Sequence, residues 1–86
     1  MPQRSKPDYA APALEKGLDI VELLASEPEA LTQIQLAARL RRTTSEIFRM
    51  LDVLVRRGYV NRGGDGTYGP TLKLFELAHR HSPVRR

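Results

Sequence analysis

The sequence contains no cysteine and no long apolar run. Without cysteine the chain cannot form a disulfide or a thiolate metal site, which fits a reducing compartment. The lack of a long apolar run excludes a transmembrane helix. The polar, proline-rich N-terminus does not have the apolar segment of a signal peptide. We therefore expect a cytoplasmic protein.

The sequence also lacks the residue sets of catalytic and cofactor sites. The 86 residues, 41% of them apolar, are enough for one small domain with a single core but not for a buried catalytic cavity. His79 and His81 do not make up the four ligands of a structural zinc site. The glycine-rich residues 63–66 are not followed by the Gly-Lys-Ser/Thr of a phosphate loop. We expect no enzymatic activity, no cofactor and no metal.

The net charge of +4 is unevenly distributed along the chain. Residues 11–30 hold one lysine against five carboxylates, whereas residues 31–62 hold seven arginines against two carboxylates. An acidic segment followed by a basic one suits a protein with one face directed at a polyanion. An arginine-rich solvated surface would give the same balance, so the charge alone leaves both readings open.

Residues 1–12 contain three prolines and few large apolar residues, which predicts a disordered arm. An amphipathic helix follows and ends near Glu27, because Pro28 disfavours helical geometry there. Ile20 and Leu23 lie beside the main apolar stripe, and we expect them to contact a second subunit of a C2 homodimer. The stripe expected to face the core consists of Leu14, Leu18, Val21 and Leu24.

Two capping boxes mark the starts of two further helices. Thr32 with Gln35 predicts a helix over residues 32–40, and Thr43 with Glu46 predicts one over residues 44–57. Gly58 supplies the stop. The two starts are eleven positions apart, which leaves room only for one short helix and a turn. This is the helix-turn-helix arrangement, whose second helix enters the DNA major groove.

The C-terminal part predicts a short β-hairpin and one more helix. Residues 59–62 alternate like a strand, residues 63–66 form a turn, and Thr67 begins a returning strand that Pro70 should shorten. The last helix is expected over residues 71–80. The fold class is therefore mainly α with a small β-hairpin, a winged helix-turn-helix with a three-helix core, a wing and a C-terminal linker helix. The expected core is Leu14, Leu18, Val21, Leu36, Leu40, Ile47, Leu51, Leu54, Tyr59 and Leu77.

Between about Ala13 and Leu77 the sequence resembles the DNA-binding domain of the IclR family of bacterial transcription regulators. The segments that carry the resemblance are residues 15–24, 31–32, 36–37, 45–51, 54, 57–60, 65–68 and 72–77. One departure is Arg41, which stands where the family usually has a turn glycine and must adopt positive φ or another geometry. The resemblance implies a domain over residues 13–70, with a linker helix and a disordered tail over residues 71–86. The family's sensor domain has no counterpart here, so we expect no small-molecule ligand within this chain.

The resemblance places Ser45 and Arg49 at positions that contact double-stranded DNA. The DNA site is expected to be a near-palindromic operator. Phe48 has two readings, contact with a thymine methyl group or packing beneath Arg62. The other expected DNA contacts, at the turn, the helix start and the wing, are Arg41, Arg42, Thr43, Thr44, Asn61 and Arg62. A competing hypothesis is a winged-helix module that binds proteins and has no specific DNA site.

Overall fold

The computed structural model describes residues 10–80. The expected disorder of the N-terminal arm before residue 10, and the tail from residue 81 with His81, lie outside this range. The elements in chain order are α1 (Pro12–Ser26), β1 (Leu31–Thr32), α2 (Gln33–Leu40), α3 (Thr44–Arg56), β2 (Val60–Arg62), β3 (Thr67–Pro70) and α4 (Lys73–Arg80). This order confirms the predicted fold class, a mainly helical winged helix-turn-helix.

Both predicted capping boxes are present. The Thr32 hydroxyl accepts from the Gln35 amide at 3.1 Å, and the Gln35 side chain accepts from the Thr32 amide at 2.8 Å. Thr43 and Glu46 make the equivalent reciprocal bonds, both 3.1 Å long. These bonds satisfy amides that have no partner within their own helix, so they define where α2 and α3 begin.

Gly58 ends α3 as predicted. Its φ is 87°, in the left-handed region that glycine adopts without steric cost. The amides of Gly58 and Tyr59 donate to the carbonyls of Val55 and Leu54, at 3.0 and 2.9 Å. This pair of bonds is a Schellman motif, and it turns the chain from α3 directly into the wing.

The sheet has three antiparallel strands in the order β1–β3–β2. The sequence predicted only the β2–β3 hairpin, because the two residues of β1 are too few to show a strand pattern. Contrary to expectation, Pro70 does not shorten β3. It is the last residue of the strand and pairs with Val60, and the amide of Thr71 then donates to the carbonyl of Tyr59 at 3.2 Å.

The core lies between the three first helices and the sheet. The predicted core stripe of α1 is confirmed at Leu24, which is buried, but wrong at Leu14 and Leu18, which are 62% and 49% exposed. Ile20, predicted to lie outside the core, is fully buried. Leu23 is half-buried against the core. Two apolar stripes run side by side on α1, and the positions of α2, α3 and the sheet decide which residues are covered. The buried residues are Ile20, Leu24, Leu31, Leu36, Ala37, Ile47, Leu51, Val60 and Tyr68.

Ile20 is fully buried and has no surface left for the predicted subunit contact. Leu23 is half-buried against the core, and its place in a subunit contact stays a prediction. The other expected core residues fall into two groups. Leu36, Ile47 and Leu51 are buried as predicted. Leu40, Leu54, Tyr59, Val21 and Leu77 are only half-buried.

Candidate nucleic-acid interface

The outer face of α3 combines a hydroxyl, an aromatic ring and charged groups. Ile47 and Leu51 turn inward and are buried. Ser45 and Arg49, four residues apart, are consequently both exposed on the outer side. Phe48 is exposed on the same side. The structure thus brings these three predicted residues together on one face of the second helix of the motif.

The turn before α3 holds Arg41 in a left-handed conformation, with φ 58° and ψ 48°. Of the two geometries expected for this position, the structure has the positive φ. The amides of Arg41 and Arg42 donate to the carbonyls of Ala38 and Ala37, at 3.3 and 3.0 Å. These bonds close the end of α2, and both arginine side chains are exposed next to the start of α3.

Two contacts from other helices hold the N-terminus of α3. The Gln33 side-chain amide donates to the Thr44 carbonyl at 3.0 Å, and Lys16 Nζ donates to Glu46 Oε2 at 3.1 Å. Lys16 and Glu46 are 30 residues apart, so no local sequence signal predicts their contact. The hydrogen bond from Lys16, and next the one from the Thr43 amide, lower the pKa of Glu46. The carboxylate is therefore charged and paired at neutral pH.

The wing presents Asn61 and Arg62 as exposed side chains. The Arg62 guanidinium lies 5.9 Å from the centre of the Tyr68 ring, within cation–π range. At the tip, the Thr67 hydroxyl and amide donate to Asp65 Oδ1 at 2.7 and 3.1 Å, and these bonds lower the pKa of Asp65. The wing is a closed hairpin, and its cation nearest to α3 is held against an aromatic ring.

An open cleft of about 130 Å³ separates α3 from the wing. Phe48 and Arg62 both line it, and Phe48 remains 52% exposed. Phe48 is therefore near Arg62 without being covered by it. The complete lining is Phe48, Leu51, Asp52, Val55, Arg62 and Tyr68.

A second, larger groove of about 690 Å³ lies between α1, α3 and α4. The sequence assigned Leu14, Leu18 and Val21 to the core; that assignment is wrong for the two leucines, which are exposed, whereas Val21 is half-buried. Leu14, Leu18, Val21, Val53 and Leu74 line the groove, with Glu22 and Arg57 among its few polar side chains. None of the expected DNA contacts lines it.

The chain after the wing is fastened to the end of α3. Lys73 Nζ donates to the Arg57 carbonyl at 2.6 Å and lies 4.8 Å from the centre of the Tyr59 ring. The Thr71 hydroxyl donates to the Gly58 carbonyl at 2.6 Å. Lys73 is favourable at the C-terminal end of α3, because a cation is stabilised by the helix dipole there. These contacts hold the start of α4 beside α3, where Leu74 lines the groove.

Among residues 10–80 there is no cluster of three or more histidine and carboxylate side chains that could bind a metal ion. In the same residues no helix combines the length and the apolar character needed to cross a membrane.

The fold of this chain is similar to those of several solved structures. An IclR homolog from Microbacterium sp. strain HM58-2 is 28% identical with a TM-score of 0.71, covering 81% of this chain and 29% of that one. The Thermotoga maritima IclR is 23% identical with a TM-score of 0.76, covering 87% and 30%. The Agobacterium tumefaciens repressor BlcR is 24% identical with a TM-score of 0.75, covering 87% and 30%. The last two show likeness of fold alone, and this chain spans less than a third of each of the three structures.

None of the curated proteins matches this sequence. The family model of the IclR helix-turn-helix domain, however, matches residues 13–64, which include α1 from its second residue, α2, the turn, α3 and β2. That match extends over more than half of the chain. The chain therefore belongs to the IclR helix-turn-helix family, and it has the winged-helix fold of an IclR-type DNA-binding domain.

Proposed function

We propose that this domain binds double-stranded operator DNA with α3 in the major groove, and that Ser45 and Arg49 contact base edges there. The observation that carries the proposal is the exposed face of α3, where these two side chains lie side by side. An arginine in the major groove reads guanine through its O6 and N7 atoms, and a serine hydroxyl donates or accepts at either base of a pair.

A second set of residues positions the domain on the phosphate backbone. Arg41 and Arg42 are exposed at the turn, beside the free amides and the positive dipole end of α3. Thr43 and Thr44 are at the same end of this helix. Asn61 and Arg62, exposed on the wing, contact the phosphate backbone of the DNA in the same proposal. Such contacts fix register and orientation and carry no base preference of their own.

The apolar groove supports a homodimer. Its exposed leucines and valine favour burial against an apolar partner, and a second copy of the chain offers the same surface. Glu22 and Arg57 line this one groove. In a C2 pair, a contact between residue i of one subunit and residue j of the other occurs twice. We therefore propose that Glu22 of each subunit pairs with Arg57 of the other.

Met50, Val53 and Leu54 of α3 line the groove, but no proposed DNA contact does, so the dimer leaves those DNA contacts of both α3 helices accessible. Two copies of α3 related by a two-fold axis read two half-sites of a near-palindromic operator. This surface replaces Ile20, which the fold buries.

The test is the salt dependence of binding to duplex DNA. Neutralised phosphates release counterions, so the logarithm of the association constant falls by about 0.9 per neutralised phosphate for each unit of log salt. We expect a slope corresponding to several phosphates, measured by fluorescence anisotropy with a nonspecific and a selected duplex. The matched variant Arg42→Ala should make the slope shallower. A flat response would favour the competing role as a protein-binding module.

A further inference from the structure

The cleft between α3 and the wing is lined by apolar and aromatic side chains and by two charged side chains. Leu51 and Tyr68, both buried, form part of the lining. Asp52 Oδ2 accepts from Arg56 Nε at 3.1 Å, and the Arg62 guanidinium lies over the Tyr68 ring. Asp52 is therefore paired within the protein, and Arg62, which we propose as a DNA-backbone contact, lies over an aromatic ring.

Phe48 is the lining residue whose exposure has no other explanation. It is three residues after Ser45 and directly before Arg49, on the proposed DNA-reading face. A phenyl ring that is half exposed costs free energy in water, which contact with another apolar group recovers. Phe48 has no hydrogen-bonding atom, so any base feature that it reads must be apolar.

The major groove presents one such feature, the methyl group at C5 of thymine. The same methyl group occurs on 5-methylcytosine. We propose that Phe48 and the cleft behind it bind the C5-methyl group of one pyrimidine in each half-site, an inference that rests on the proposed DNA-binding function. That pyrimidine lies next to the bases that Ser45 and Arg49 contact. Phe48 is thus a specificity-determining residue that acts by apolar contact.

The experiment removes the methyl group from the DNA and leaves the protein intact. Preferred duplexes are first selected from a random library with the full chain. Each thymine of the selected site is then replaced singly by deoxyuridine, which keeps every hydrogen-bonding group and lacks only the methyl. At one position in each half-site we expect Kd to rise about fourfold, the effect of losing one buried methyl group.

Two protein variants test whether Phe48 is the residue that senses the methyl group. Phe48→Ala should bind the thymine duplex and the deoxyuridine duplex equally well. Arg49→Ala should bind both more weakly but preserve their ratio. A second arm places cytosine or 5-methylcytosine at the sensitive position. Tighter binding of the methylated base shows that the methyl group, not the thymine O4, is read.

Two results would overturn the proposal. One is the absence of any thymine whose replacement by deoxyuridine weakens binding by the unaltered chain. The other is discrimination that survives in Phe48→Ala, since another residue would then make the contact. Both leave the proposed DNA-binding function in place. If the library yields no preferred sequence and binding does not respond to salt, the proposed function itself fails and this inference with it.

Discussion

Lys16 Nζ lies 3.1 Å from Glu46 Oε2, and the other oxygen of the same carboxylate accepts from the Thr43 amide at 3.1 Å. One side chain therefore caps α3 and joins it to α1. The ion pair also neutralises a negative charge beside the turn arginines, where we propose that a phosphate binds. The first helix, which lines the apolar groove, is in this way fixed to the start of the DNA-reading helix.

Replacing Glu46 by glutamine should make folding stability less sensitive to acid. The pKa of Glu46 is lowered from its ordinary value of 4.5, first by the hydrogen bond from Lys16 and then by the Thr43 amide. Because the folded pKa is below the unfolded one, this stabilisation is complete above about pH 4.5 and is lost as the pH falls through the folded pKa. Glutamine keeps the capping box and removes the ion pair.

Thermal unfolding of both proteins, measured between about pH 6 and pH 3, checks this prediction. The unaltered chain should lose more stability on acidification than Glu46→Gln. The pKa of Asp65 is also lowered, but Asp65 is present in both proteins, so its contribution cancels in the comparison. Parallel curves would contradict the assigned role of the Lys16–Glu46 pair.

Arg49→Ala should weaken binding to a selected operator by about 1–3 kcal/mol and blur the base preference at one position. Arg42→Ala should weaken binding to all sequences alike, because a phosphate contact carries no base information. Competition between selected and nonspecific duplexes separates the two effects. If both variants bound the operator like the parent, α3 would not be the reading helix.

Ile20→Ala should destabilise the fold by about 2–5 kcal/mol, the usual cost of a large-to-small change at a fully buried site. Leu18→Ala, on the neighbouring stripe of α1, should cost much less in dilute solution because Leu18 is half exposed. Urea denaturation at low protein concentration measures both values. Equal losses would mean that the two stripes contribute alike to the core.

Leu18→Glu should abolish dimerisation, since it places a carboxylate in the apolar groove that we propose as the subunit interface. Ile34→Glu is the matched control, because Ile34 is 72% exposed on α2 and does not line the groove. Sedimentation equilibrium over a concentration series compares the two variants with the parent. A parent that stays monomeric at high concentration, with and without DNA, would rule the interface out.

Arg41→Gly should be more stable than Arg41→Ala by up to about 1 kcal/mol. Both changes remove the same charge, but only glycine adopts the left-handed backbone at φ 58° without strain. Chemical denaturation of the two variants gives the difference directly. A more stable alanine variant would show that the backbone at this turn relaxes out of the left-handed region.

Local chemistry determined where most helices begin and end. Thr32 and Thr43 have their capping partners three residues away, Gly58 carries its own left-handed preference, and Pro28 lacks the amide that would continue α1 beyond Glu27. These signals act over a few residues, so they can be read from the sequence. The exposure of Ser45 and Arg49 followed in the same way, because Ile47 and Leu51 define the opposite face of a helix with a fixed period.

The tertiary structure decided which of two apolar stripes on α1 enters the core. Leu18 and Ile20 are both aliphatic and both at helical spacing from other apolar residues, so periodicity ranks them equally. The packing of α2, α3 and the sheet around α1 buries Ile20, whereas Leu18 is left at the open groove. The same holds for Lys16 and Glu46, for the two-residue strand β1, and for the cleft that Phe48 shares with Arg62. Each depends on residues far apart in the chain, whose proximity no local pattern encodes.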